Sequence, residues 1–375
     1  MKNIMKIGLA VLRFMYAILK LFPQQNKIVI LSRQSDSPSL DINMLERKIK
    51  ELHPDCKVVV MCKKIGPGLG GKIRYCFHIL KQMVHLATAR VAILDSYCIP
   101  VSVLNHRKSL LIIQMWHSIG TMKKFGYSIL DKEEGSSSMI AEVMRMHHGY
   151  DYILCAGEGY RSHLAQGFNY PEDKIVILPL PRVEAIKNPA VCIDALERIY
   201  DTYPELAEKE TIVYAPTFRK KDDADFVSAL SELCKAIDYD KYNLVIKSHP
   251  LTDLTGFDGG PAIVDCKFST GDMLYASDYV VSDYSCVMYE AGILNKPLYF
   301  YDYDYEEYMS TRDIYMDYLS EVPGPVCYDA RSLAEAIESG EYDMDKLSSF
   351  VNKYVKVDGK EETKAIVDFI FDHLK

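Results

Sequence analysis

"YVVSDYSCVMYEAGILNKPLYFY", residues 279–301, sets two short apolar runs, "YVVS" (279–282) and "PLYFY" (297–301), on either side of a segment with helical character. Both runs are rich in β-branched and aromatic side chains, the composition of strands buried on both faces. A helix between two such strands carries the chain back to the starting edge, so the strands lie parallel. The polar stretch "SDYS" (282–285) then falls where the first strand ends and the helix begins. In a parallel sheet that is the edge at which ligands bind.

The pattern extends toward the N-terminus. Before this unit stand "TIVYA" (211–215), "NLVIK" (243–247) and "AIV" (262–264). Further back come "KIVIL" (27–31), "KVVVM" (57–61), "RVAIL" (90–94), "LLIIQM" (110–115), "YILCA" (152–156) and "KIVIL" (174–178). Strands alternating with longer helical stretches predict an α/β protein with doubly wound parallel sheets. The segment from Pro179 to Pro204 separates the two sets and reads as a linker. The expected domains are residues 1–22 as an amphipathic helix, 23–185 as one Rossmann-like domain and 186–375 as a second. Two such domains facing a cleft make the GT-B-like arrangement of many nucleotide-sugar transferases. The last helical stretch, "ETKAIVDFIFDHL", puts Ala365, Ile366, Phe369, Ile370 and Leu374 on one face. That face needs a docking site, with the first domain as a candidate. Neither half has a GxGxxG after a strand. "GPGLGG" (66–71) lacks the Lys-Ser/Thr of a P-loop and reads as a flexible loop.

A chain of 375 residues is long enough for two domains of ordinary size. Its 49% hydrophobic and 26% charged residues match soluble globular proteins. A net charge of -8 argues against a nucleic-acid binder, which needs a basic footprint. The ten cysteines are scattered singly, with no CxxC pair and no zinc spacing, as in a cytosolic protein with reduced thiols. The 27 tyrosines, dense around 275–318, suit either a tyrosine-rich core or an apolar wall that also hydrogen-bonds.

In "MKNIMKIGLAVLRFMYAILKLF" (1–22), Lys6, Arg13 and Lys20 recur every seven residues, with Lys2 near the same stripe. Ile4, Ile7, Val11, Phe14, Ile18 and other apolar residues fill the remaining faces. A bilayer-spanning helix would bury Arg13 at its centre, at high cost. A signal peptide would need an unbroken apolar centre and a small-residue cleavage site. The pattern suits a helix lying in the membrane interface, basic stripe toward anionic headgroups. A helix packed on the protein's own body is the alternative.

Polar groups gather at four strand ends: "WHS" (116–118), "YAPTFRKK" (214–221), "KSHP" (247–250) and "SDYSCVMYEAG" (282–292). Ser285 stands at a helix N-terminus, where free N–H groups favour a phosphate, although taken alone a plain helix cap is the better reading of a serine there. Two histidines, an arginine, a lysine and a helix N-terminus at strand ends of an acidic protein suit a nucleotide diphosphate.

The order and wording of these motifs resemble the CDP-glycerol glycerophosphotransferase family, the teichoic-acid primases and polymerases. "WHSIG", "YAPTFR", "KSHP", "SDYSCVMYEAGILNKPLYFYDYDYEEY" and "EVPGP" (321–325) follow in that family's order. Three positions depart from its pattern: Ser118 stands where glycine is common, Cys286 replaces a serine, and Lys247 stands where arginine is frequent. The resemblance implies transfer of glycerol phosphate or ribitol phosphate from a CDP-polyol to a hydroxyl of a lipid-linked cell-surface polymer, releasing CMP. It implies no cofactor beyond the CDP-polyol substrate and no bound metal, on the cytoplasmic face of the membrane.

In that reaction His117 is the expected general base, with Trp116 as a wall and Ser118, Lys123 and Lys124 on the acceptor side. The two lysines read equally as solvated loop charges. His249 is expected at the donor diphosphate or the leaving group. Thr217, Arg219, Lys247 and Ser285 are expected to hold the nucleotide diphosphate. Asp283 and Glu321 are candidates for sugar or polyol hydroxyls. Asp283 alone makes a poor metal site, and Glu321 reads equally as part of a proline-bounded loop. Rival readings are a GT-B glycosyltransferase using a nucleotide sugar and a membrane-tethered binding protein without turnover.

Overall fold

The computed structural model describes residues 2–374 apart from 219–223, 250, 251, 253 and 358–360, with residue 4 described in its backbone only. Arg219 therefore lies outside the described residues. The chain is a mixed α/β fold with two parallel sheets. The first holds β1 (Lys27–Ser32), β2 (Lys57–Cys62), β3 (Val91–Leu94), β4 (Leu111–Gln114), β5 (Tyr152–Cys155) and β6 (Ile175–Ile177), in the order β2-β1-β3-β4-β5-β6. The second holds β7 (Glu210–Tyr214), β8 (Tyr242–Ile246), β9 (Ile263–Val264), β10 (Tyr279–Ser282), β11 (Leu298–Tyr301) and β12 (Val326–Cys327), in the order β12-β11-β10-β7-β8-β9. Every strand but the two-residue β12 coincides with an apolar run visible in the sequence. Strand order reverses between β1 and β3 in one sheet and between β7 and β10 in the other. Those switch points are where open α/β sheets bind ligands, beyond the carboxyl ends of the strands.

The chain divides into two compact units. One takes Met1–Ile119, Lys124–Glu184 and Lys356–Lys375; the other takes Gly120–Lys123 and Ala185–Val355. In the first unit the final helix, Glu362–Asp372, packs on α2 (Leu40–Leu52). There Ile366, Val367 and Ile370 join Ile42, Leu45, Ile49 and the strand residues Ile28 and Ile30 in one core. The Thr363 N–H and hydroxyl both donate to Glu184. In the second unit the helices Ala224–Ala236 and Ala330–Glu338 cover one face of the sheet. The tyrosine surplus is largely core here: Tyr214, Tyr284, Tyr289, Tyr299, Tyr301 and Tyr354 are fully buried.

Three expectations are corrected. The stretch from Pro179 to Pro204, in which the division between the units falls, is helical rather than loop: it forms the helices Pro181–Ile186 and Pro189–Thr202, the latter capped by the Asn188 side chain. "GPGLGG" is no flexible loop but the opening of α3 (Gly68–Thr88). A Cβ on Gly71 would sit 2.4 Å from the Gly66 carbonyl oxygen, so the chain folds back there on a glycine.

The third concerns α1 (Lys2–Leu19), which docks through its basic side. Arg13 donates to the Val103 carbonyl, Lys20 to the Asn105 carbonyl, Lys2 pairs with Glu142, and buried Tyr16 bonds His106. Ile7, Val11, Phe14 and Ile18, spaced as one helical stripe, are left exposed, followed by Leu21 and Phe22. The long basic arms find backbone acceptors on the protein that the apolar side chains cannot use. Among the described residues no helix is long and apolar enough to cross a membrane.

One ion pair closes the first unit around its last strand. Asp41 in the first turn of α2 is almost wholly buried and accepts from the Arg182 backbone N–H and Nε, each at 2.8 Å. Removing one partner of a buried pair strands the other charge, at about 3 kcal/mol or more. Arg182→Ala should therefore lower the urea unfolding free energy by about 3 kcal/mol, without changing the denaturant slope.

Candidate active site

In the first unit the exits of β3 and β4 lie side by side, next to the switch point between β1 and β3. β4 ends in Gln114, and the chain continues through Trp116 to His117. Nδ1 of His117 lies 2.9 Å from the Asp95 carbonyl oxygen, which only accepts, so Nδ1 carries the ring proton. In the neutral ring Nε2 is then left with its lone pair. The Gln34 side-chain Nε2 lies 3.3 Å from the same Nδ1, and with the ring proton on Nδ1 this contact is favourable only when the amide is flipped to present its oxygen. Burial holds the His117 pKa below the ordinary imidazole value; the carbonyl and carboxylate of Asp95 act against this and Arg182 adds to it. The ring is thus neutral at pH 7, as a base requires. Asp95 itself is buried, and burial raises its carboxyl pKa against the hydroxyls of Ser32 and Ser96. The Ser96 hydroxyl donates to it at 2.8 Å.

Trp116 has a φ of 67°, in the left-handed region that a tryptophan rarely enters. Such a conformation costs about 1–3 kcal/mol and persists only where the surroundings over-determine it. Here the Trp116 N–H donates to Oε1 of Gln114 at 3.0 Å. Its indole packs on the His117, Phe125 and Phe168 rings, with centroids 4.2, 4.6 and 5.2 Å away. Phe125 in turn presses on Gly167, where a Cβ would lie 2.4 Å from the ring. Trp116 accordingly stands packed against the His117 ring. Ser118 is half-buried where the chain leaves it, and Lys124 is half-buried where the chain re-enters this unit.

The second unit ties its switch point with a carboxylate. Asp283, just past β10, is fully buried and accepts from both the N–H and the hydroxyl of Thr217, at 2.7 and 2.6 Å. Ser282 adds a bond to the Ala215 carbonyl at 2.9 Å. Asp283 and Thr217 thus hold each other. Ser285 follows, and its hydroxyl oxygen accepts from the Val287 N–H at 3.3 Å at the mouth of the helix Val287–Ile293. Cys286 takes the N-cap position of that helix, and the Ser285 hydroxyl can still donate.

Against this helix lies the short stretch 120–123. A Cβ on Gly120 would come within 2.2 Å of the Tyr289 ring, and the Cys286 thiol approaches the Gly120 carbonyl at 3.7 Å. The Met122 carbonyl accepts from the Tyr315 N–H, and the Lys123 ammonium stands 5.4 Å from the Tyr308 ring centre. Lys123, read from its sequence position as acceptor-side, thus belongs to the second unit. Its charge is felt by His249, whose pKa is lowered by burial and by Lys123. The His249 ring also meets Phe218 edge-on at 5.3 Å.

Two expected diphosphate or hydroxyl ligands are engaged elsewhere. Lys247 is buried, and its ammonium donates to the Asp265 carboxylate (2.7 Å), the Asp265 carbonyl (3.1 Å) and the Phe268 carbonyl (2.6 Å). All three donors are spent within the β8 exit, which leaves none for a phosphate. Glu321 accepts from the Asp317 N–H, capping the helix Tyr318–Glu321, and from Lys353 and the Tyr354 hydroxyl. Burial raises its pKa, but these donors more than offset it and hold the carboxyl below its usual range. Sequence reading missed Asp95, Ser96 and Gln114. Only Gln114 carried a signal, an amide ending the apolar run "LLIIQ". Among the described residues no group of three His, Cys, Asp or Glu side chains is arranged to hold a metal ion.

Comparison with known proteins matches this geometry to a family. The family model for CDP-glycerol:poly(glycerophosphate) glycerophosphotransferases matches residues 13–372. A teichoic acid ribitol-phosphate primase of Bacillus spizizenii is 32% identical over 360 residues, 94% of this chain and 92% of its own length. A teichoic acid glycerol-phosphate primase of Bacillus subtilis is 28% identical over 306 residues, 78% of this chain and 76% of its own. The solved wall teichoic acid polymerase TagF shares the fold, with a TM-score of 0.73 at 20% identity, over all of this chain and 97% of that one. With the Trp-His, Tyr-Ala-Pro-Thr and Ser-Asp-Tyr-Ser segments all at strand exits, the chain belongs to the CDP-glycerol:poly(glycerophosphate) glycerophosphotransferase family.

Proposed function

We propose that this enzyme transfers ribitol phosphate from CDP-ribitol to a hydroxyl of a lipid-linked teichoic-acid acceptor, releasing CMP. The observation that carries the reaction type is His117, neutral and with its proton fixed on Nδ1 by the Asp95 carbonyl. Family membership supports the CDP-polyol donor, and the likeness over nearly full length to a ribitol-phosphate primase favours ribitol and addition of one unit. Glycerol phosphate is the second reading, on the glycerol-phosphate primase.

The acceptor oxygen attacks the polyol-side phosphorus of the donor while its proton passes to Nε2 of His117. The bond from that phosphorus to the bridging oxygen breaks, and the electron pair leaves with CMP. The second unit, taken by itself, offers His249, Lys123 and the Ser285 hydroxyl as groups suited to phosphoryl charge. Burial, with the Lys123 charge adding to it, lowers the His249 pKa; a bound diphosphate acts in the opposite direction, so His249 gains the proton it gives to the leaving oxygen.

We also propose that the enzyme works at the cytoplasmic membrane face, held there by the exposed stripe of α1. α3 packs on α1 and bears a second exposed row, Leu69, Ile73, Phe77 and Val84. Apolar rows of this extent mark an interaction surface. With Lys2, Arg13 and Lys20 engaged on the protein and Lys6 the exposed member of the basic stripe, apolar burial is the main drive for binding.

Mass analysis of the product on a lipid-linked acceptor should show one added ribitol phosphate from CDP-ribitol and little from CDP-glycerol. Turnover only with a nucleotide sugar would sink the reading in favour of a glycosyltransferase. His117→Ala should lower kcat by about 100-fold or more. Because the His117 pKa is depressed, the acid limb of kcat/KM should lie below the ordinary imidazole value, as the ring gains a proton and stops accepting one. Phe14→Asp with Ile18→Asp should cut co-sedimentation with lipid vesicles about tenfold or more, and wild-type binding should persist in high salt.

A further inference from the structure

We propose that Gln114 is a positioning residue for the acceptor-side base: its buried amide holds Trp116 left-handed and so fixes which nitrogen of His117 takes the proton. The inference rests on His117 being that base.

The other residues of β4, Leu111 to Ile113, are apolar and buried, and Gln114 is equally hidden from solvent. A primary amide in such a place must find partners for its donors and acceptor. Its oxygen accepts the Trp116 N–H at 3.0 Å and its nitrogen donates to the Ser96 carbonyl at 3.4 Å. A backbone N–H only donates and a carbonyl only accepts, so the amide has one orientation.

Asp95 and Ser96 are consecutive at the exit of β3. Their two carbonyls receive one donor each from the exit of β4: Asp95 from Nδ1 of His117, Ser96 from Nε2 of Gln114. Between those two anchors the chain has only Met115 and Trp116 in which to turn, and the left-handed Trp116 makes the turn. Released from Gln114, a tryptophan returns to the conformations its Cβ prefers. The His117 ring then leaves the Asp95 carbonyl, and nothing holds its proton on Nδ1. Rings with Nε2 protonated cannot accept the acceptor's proton there.

The test uses the full chain labelled with 15N-histidine, with the His117 signals assigned by their loss in His117→Ala. In the wild type, His117 should be in the Nδ1–H tautomer. In Gln114→Met, which fills the same volume without either hydrogen bond, His117 should show mixed tautomers. kcat should fall at least tenfold, with KM for the CDP-polyol changed less than twofold. Should Gln114→Met not fold, Gln114→Asn carries the same expectation, because its shorter arm withdraws the amide from the Trp116 N–H. A folded variant with wild-type tautomer and kcat overturns the proposal, as does lowered stability with unchanged kcat. Wild-type turnover by His117→Ala would instead overturn the base assignment, a separate and distinguishable failure.

Discussion

A carboxylate taken out of water has to be met by donors from its surroundings, and that demand shapes the functional end of both sheets. Asp95 gathers Ser32 and Ser96 from the exits of β1 and β3; Asp283 gathers Thr217 across the gap between β7 and β10. Each joins the two strands where the sheet changes direction. Two further buried acids do similar work, Asp41 with Arg182 and Asp265 with Lys247. Buried charge of this kind adds little net stability, since desolvation offsets most of the attraction. What it supplies is geometry: loops that would otherwise wander are held in one arrangement, and the reactive side chains stand on them.

The strands were legible because a parallel sheet is buried on both faces, so its strands appear as short unbroken apolar runs. "KIVIL" and "YVVS" need no alternation to be recognised. β12 was not legible, since two residues beside a Pro-Gly-Pro turn carry no pattern. The helices between Pro179 and Pro204 were hidden by their prolines, which look like breaks yet sit at first helical positions, where a missing N–H costs nothing. The orientation of α1 was illegible for another reason. Its sequence gives two faces, and only the body it rests on decides which is turned inward.

At the site, residue identity was legible from the motifs, but engagement was not. Lys247 and Glu321 have the chemistry of ligands and are consumed by neighbours far away in sequence, Asp265 with Phe268 and Lys353 with Tyr354. Nothing local announces such partners. The same holds for Lys123: the stretches before Gly120 and after Lys123 belong to the first unit, while Lys123 and its contacts belong to the second. The left-handed Trp116 is the opposite case. Local propensity speaks against the conformation, and where local preference and structure part company, function is the usual reason.

The final helix has a consequence for how the protein is made. Glu362–Asp372 completes the core of the first unit, yet the ribosome delivers it after the whole of the second unit. During synthesis the α2 side of the first sheet stays uncovered, with Ile42, Leu45 and Ile49 lacking part of their cover. The first unit therefore cannot mature as the chain emerges, in the manner of a simple N-terminal domain. It waits, partly open, through about 180 residues of translation, until the helix that completes its core is delivered.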